Sequence, residues 1–131
     1  MKLEERRAKL LLVDDEPMMG TALQVAFEGD YDVSLVASGE EARRLIASGA
    51  RFDVIVCDLM MKGLSGMDLY RWVHDQDPAL ADRIVFVTGG AYTPEAQAFL
   101  DEVDNPRLQK PFSLDALADL VAAMVRSSRP G

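Results

Sequence analysis

Asp14, Asp15, Asp58, Thr88 and Lys110 each stand at or just past the end of a short apolar or strand-like run. That shared position is the first chemical signal in the chain. The runs are Leu10–Val13, Val54–Cys57 and Ile84–Val87, with a shorter, more polar one at Arg107–Gln109. If the strands ending at Val13 and Cys57 are neighbours, the three aspartates converge at one edge of a sheet. At about 4 Å and an effective dielectric of about 20, each pair of carboxylates repels by roughly 4 kcal/mol. Either one of them takes up a proton or a cation sits among them. The donors are all hard oxygens with no imidazole nearby, which favours Mg2+, or Mn2+, over zinc. Lys110 supplies one further positive charge and Thr88 a hydroxyl. A free carboxylate among a divalent metal, a lysine and a hydroxyl has what phosphoryl transfer to an aspartate requires. Its oxygen attacks while the positive groups neutralise charge spreading over the phosphoryl oxygens. Gly89 and Gly90 leave room for a group carrying three oxygens.

The elements that must position these residues follow from the hydrophobic pattern. The three apolar runs are short, rich in β-branched residues and apolar at both parities, as in strands buried on both faces of a parallel sheet. Asp32–Ala37 and Arg107–Gln109 are more polar, and Pro106 opens the second, which places both at the sheet's edges. Helical patterns lie between. Pro17 starts one through about Glu28, ended by Gly29. Ser38 with Glu41 forms a capping box for a second, closed by Gly49, and Ser65 with Asp68 does the same for a third, with Pro78 beyond its end. Thr93-Pro94 starts a fourth. Ser113 caps a fifth, whose Leu114, Leu117, Ala118, Val121, Met124 and Val125 recur at helical spacing. Five strands alternating with five helices require a parallel sheet, helices on both faces and right-handed crossovers. In open sheets of this kind ligands bind past the carboxyl ends of the strands, which is where the five residues stand.

Composition bounds the rest. With 131 residues the chain has the length of one domain. At 49% hydrophobic and 27% charged residues it is ordinary globular protein, and no apolar run approaches the roughly 18 residues of a membrane span. The N-terminus lacks the apolar stretch of a secretory signal, and a single cysteine, Cys57, makes no internal disulfide, so a cytoplasmic location is expected. A net charge of −8 is a poor match for nucleic acid. Residues 9–126 are read as the domain, 1–8 as an N-terminal extension and 127–131 as a tail or the start of a linker.

The pieces LLVDDEP at 11–17, VIVCDLMMKGLSG at 54–66, VFVTGG at 85–90 and LQKPF at 108–112 closely resemble the receiver domain of two-component response regulators. The resemblance runs from about Lys9 to Val125. It implies a flavodoxin-like α/β fold, a five-stranded parallel sheet of order 2-1-3-4-5 with five helices. It also implies that Asp58 is the phosphoacceptor and that Mg2+ is held by Asp14, Asp15, Asp58 and the backbone carbonyl of Met60. Thr88 matches the switch hydroxyl, Lys110 the phosphoryl-binding lysine, and the Lys110–Pro111 bond is implied to be cis. A histidine kinase or a histidine phosphotransfer protein would be the donor. The surface of the fourth helix and fifth strand would respond to phosphorylation. Two positions depart from the family. Lys62 stands where proline is usual, implying a looser loop after Asp58 and an ammonium within reach of the site. Arg107 stands where many members carry a Tyr or Phe that swings inward. TGG with NPRLQKPF is similar to the receivers at the C-terminal ends of hybrid histidine kinases.

Other readings compete on specific residues. A magnesium-dependent aspartyl phosphatase would need a second acid two residues beyond its nucleophile, where this chain has Met60. A phosphorylation-independent docking module would not need all five polar residues. A flavin-binding protein would not place Asp-Asp-Glu where a phosphate must sit. The chain is therefore read as a signalling phosphoacceptor that assists its own phosphorylation and slow dephosphorylation, not as an enzyme on external substrates. A weak homodimer through the last two helices is compatible with it. His74 is read as a solvated helix residue and Cys57 as an apolar filler facing away from Asp58. Met60, Met61 and Met67 are read as packing or loop cover, and Glu40-Glu41 with Arg43-Arg44 as a solvated helix face.

Overall fold

Strand β3 (Val54–Asp58) is buried along its whole length, and its one polar side chain is its last. β1 (Lys9–Val13) and β4 (Ile84–Thr88) flank it, with β2 (Asp32–Val36) and β5 (Arg107–Gln109) outermost. The order is β2-β1-β3-β4-β5, all pairs parallel, which is the flavodoxin-like doubly wound sheet. The structure, a computed structural model, describes residues 7–90 and 93–128. Residues 1–6 of the expected extension and 129–131 of the expected tail lie outside the described residues.

The helices are α1 (Pro17–Phe27), α2 (Gly39–Ala47), α3 (Gly66–Gln76), α4 (Pro78–Ala81), α5 (Pro94–Glu102) and α6 (Leu114–Ser128). Five are those read from the sequence. The single turn α4 is additional: Pro78 does follow the end of α3, but it also occupies the first position of a new turn, where its fixed φ is an asset. The Asp77 side chain caps that turn by accepting from the Leu80 N–H.

Local capping follows the sequence with one difference. Ser65 and Asp68 form the reciprocal capping box of α3, and Thr93 and Ser113 accept from the N–H groups of Ala96 and Ala116. At α2 only half the box forms as read. Ser38 Oγ accepts from the Glu41 N–H, but Glu41 Oε2 accepts from the N–H of Ala37, one residue before the cap.

Strand alternation divides the core between the two sheet faces. Leu11, Val13, Ile55, Cys57, Ile84 and Phe86 pack with α2, α3 and α5, through Ala42, Leu69, Val73, Phe99 and Leu100. Leu10, Leu12, Val54, Val56, Val85 and Val87 pack with α1 and α6, through Leu23, Phe27, Leu117 and Val121. Both faces are lined by buried apolar side chains, so the polar side chains at the carboxyl ends of β1, β3 and β4 rest on a close-packed apolar platform.

Candidate functional site

Parallel register brings the polar residues to one edge. Val13 pairs with Cys57, so Asp14 and Asp58 follow side by side one step further on. Asp58 pairs with Val87 and Thr88 with Gln109, so Thr88 and Lys110 complete the same rim. Asp14, Asp58 and Thr88 are all buried, and the Lys110 N–H donates to the Thr88 carbonyl at 2.7 Å. Cys57 is buried on the opposite face, as alternation requires. The Lys110–Pro111 peptide is cis.

One carboxylate oxygen from each of Asp14, Glu16 and Asp58 lies within 4.8 Å of the others. Lys110 Nζ lies 2.8 Å from Glu16 Oε1 and 3.4 Å from Asp58 Oδ1. Asp14 is fixed by the Glu16 N–H, which donates to its Oδ1 at 2.8 Å. Burial, then hydrogen bonding and charge repulsion from Asp14, push the Asp58 carboxyl up to about 7, with Lys110 opposing them. For Lys110, burial works against the charge but is outweighed by Glu16, Asp58 and Asp14, which hold its pKa above the ordinary value. Lys110 binds to Glu16 and lowers that residue's pKa. One ammonium shared between two acids leaves the Asp14–Asp58 pair short of positive charge. An all-oxygen, largely buried set in that condition suits a hard divalent cation.

Two residues stand apart from their expected neighbours. The Asp15 side chain is exposed and accepts from the Lys62 N–H at 3.4 Å, while the third carboxylate beside Asp14 and Asp58 is Glu16. Glu16 was legible only as one of three acids after the first strand; its pairing needs the position of Lys110, which is remote in sequence. Lys62 is exposed and engages the site through its backbone, and its side chain makes no ion pair among the described residues.

Arg107 is engaged rather than idle. Its guanidinium donates to the carbonyl oxygens of Leu100 at 2.8 Å and Val103 at 3.4 Å, tying β5 to the C-terminal end of α5. On β4, Phe86 pairs with Arg107 and lies edge-on to Phe99 of α5 at 5.4 Å between ring centroids. Glu40 is not a solvated charge either: its Oε2 accepts from the Leu64 N–H at 3.1 Å. Of the methionines after Asp58, Met60 is exposed on the loop and Met67 packs in the core. His74 is exposed and stacks on Tyr70. An added Cβ at Gly89 would meet nothing within 4 Å, which leaves the approach beyond Thr88 open.

Residues 10–122 match the family model described as the response regulator receiver domain. The C4-dicarboxylate transport transcriptional regulatory protein DctD of Pseudomonas aeruginosa is 33% identical over 89% of this chain and 25% of its own length. The chain spans between about a quarter and about half the length of the curated relatives it matches. Among solved structures, the receiver domain of the Francisella response regulator 1452 superposes with a TM-score of 0.80 at 26% identity, over 94% of this chain and all of that one. The signal receiver domain of a signal transduction histidine kinase from Syntrophus aciditrophicus gives a TM-score of 0.81 at 26% identity, over 95% of this chain and 94% of that one.

Proposed function

The chain belongs to the response regulator receiver family, and on that premise we propose that Asp58 is its phosphoacceptor, loaded from a phosphohistidine of a histidine kinase or histidine phosphotransfer protein. The supporting observation is the position of Asp58: a buried carboxylate at the carboxyl end of the central strand, between Asp14 and Lys110. One Asp58 oxygen forms the bond to phosphorus as the phosphorus–nitrogen bond to the donor imidazole breaks, and the electron pair leaves with that nitrogen. Asp58 must be ionised to attack. Its pKa near 7 in the cation-free domain makes that state partial at neutral pH, and any added positive charge completes it.

Asp14, Asp15 and Asp58, with the Met60 carbonyl, would hold Mg2+ (Mn2+ also suits the oxygen set) once the exposed Asp15 side chain turns inward from the Lys62 N–H, and the bound ion would supply charge neutralisation at the phosphoryl oxygens. Lys110 binds one phosphoryl oxygen, for which it exchanges its contact with Glu16. Thr88 presents its hydroxyl to another. Both connect to the α5–β5 surface: Thr88 ends β4 two residues from Phe86, and Lys110 follows β5 three residues from Arg107. A charge change at Asp58 therefore biases that surface between two arrangements.

The test is the intact mass of the protein after incubation with acetyl phosphate. A single phosphoryl gain that needs Mg2+ and is abolished by Asp58→Asn is expected. The same gain in Asp58→Asn would overturn the assignment.

A further inference from the structure

The segment 59–65, which leads from Asp58 to α3, is held from outside itself. Its Lys62 N–H donates to Asp15 and its Leu64 N–H donates to Glu40 Oε2 at 3.1 Å. Gly63, between those two anchors, has φ +73, and a Cβ built there would lie 2.5 Å from Glu40 Oε2. The Glu40 carboxylate thus fills the space that a side chain at position 63 would need. At the foot of α2 the contact continues: a Cβ on Gly39 would lie 2.5 Å from the Leu64 carbonyl oxygen. Glu40 stands in the first turn of α2, and its own N–H and that of Leu64 lower its pKa, so it accepts as a carboxylate. Gly66, at the end of the segment, returns its N–H to the Leu59 carbonyl at 2.9 Å.

We propose that Glu40 is a positioning residue for the Asp58 site: by clamping Gly63 and Leu64 it sets the path of residues 60–64, and through that path the affinity of the site for its cation and the lifetime of the phosphoryl group. Glu40 touches no reacting atom. It acts because the segment it holds begins one residue after Asp58, and because between Leu59, whose N–H donates to the Val87 carbonyl, and Ser65, whose N–H donates to Asp68, the further hold on the loop, Asp15, is a weaker and exposed contact. The inference rests on Asp58 as the phosphoacceptor, but the clamp itself is measurable without phosphorylation.

The experiment compares the wild type with Glu40→Ala, Glu40→Gln and Gly63→Ala. Three quantities are measured: amide hydrogen exchange at Leu64, Mg2+ affinity by calorimetry, and acetyl phosphate loading and decay by intact mass. Loss of one charge-assisted hydrogen bond corresponds to roughly tenfold faster opening. Leu64 exchange in Glu40→Ala should rise by that order, with β1 and β3 amides unchanged. Mg2+ binding should weaken and the decay rate should change. Gly63→Ala, which forces a side chain against Glu40 and into positive φ, should behave alike. Glu40→Gln keeps an acceptor oxygen and should restore most of each property; Gly63→Ala carries the test should Glu40→Ala not fold.

Unchanged Leu64 exchange would overturn the clamp. Faster exchange with Mg2+ affinity and decay both at wild-type values would overturn its role in the site. Failure of the wild type to load at all would instead count against Asp58 as acceptor, while exchange and Mg2+ affinity still decide the claim about Glu40.

Discussion

Lys110 Nζ donates to Glu16 Oε1 at 2.8 Å, across 94 residues of chain. The cation that would serve a phosphoryl group is therefore held at the rim by an exposed acid, with Asp58 further off at 3.4 Å. Phosphorylation must offer Lys110 a better partner than Glu16 if the lysine is to move inward.

Removing that competitor should help. Glu16→Gln deletes one negative charge at the mouth of the site and leaves Lys110 to Asp58. Initial rates of acetyl phosphate loading, followed by intact mass, should rise severalfold, and more at low ionic strength than at high, because the pair is exposed. A loading rate equal to or below that of the wild type at low salt would show that Glu16 assists the site.

The burial of Asp58 has a consequence for stability without metal. Its folded pKa, about 7, lies above its ordinary value of 3.8, so the folded state favours the protonated form. The group's stabilising contribution is complete below about pH 4 and is lost as pH rises through 7. Other carboxylates have pH slopes of their own, so the clean quantity is a difference. In EDTA, the stability of Asp58→Asn minus that of the wild type should grow between pH 4.5 and 8, reaching on the order of 2 kcal/mol. Urea unfolding across that range measures it. A difference that shrinks with rising pH would contradict the raised pKa.

Arg107 bridges β5 to the last carbonyls of α5, where a cation also meets the negative end of the helix. Arg107→Ala should cost about 1–2 kcal/mol. The loss should be local: amides of α5 exchange faster while those of β3 keep their protection. Lys in its place should restore part of the loss, since a single Arg107 nitrogen, Nη2, makes both contacts and an ammonium is the more strongly hydrated donor. Uniform loss of protection across the sheet would show Arg107 to be a global support rather than a tether of α5.

Much of this was legible in the sequence because the fold is locally consistent. The unbroken apolar runs at Leu10–Val13, Val54–Cys57 and Ile84–Val87 have only one economical place, the middle of a parallel sheet, and there the strand ends decide what Asp14, Asp58, Thr88 and Lys110 share. Caps at Ser38, Ser65, Thr93 and Ser113 are chemistry within four residues, and they formed. What was missed depends on where a long side chain reaches across the fold. Glu40 and Arg43 look alike as charges on an amphipathic helix, yet one caps Leu64 and the other is exposed. Glu16 needed the far end of the chain to find its partner. Arg107, read only as the absence of an aromatic ring, has a positive role that became visible once α5 was in place. The single turn Pro78–Ala81 was hidden because Pro78 marks both an end and a beginning.

Among the clustered acids, Asp58 is the residue proposed to carry the phosphoryl group. Borohydride reduction of the acetyl phosphate-treated protein converts an acyl phosphate to an alcohol, and peptide mass spectrometry then locates it. Homoserine is expected at position 58 and unmodified aspartate at 14 and 15, with the yield dependent on Mg2+. Homoserine at Asp14 or Asp15, or a phosphoryl group found on His74 with position 58 intact, would contradict it.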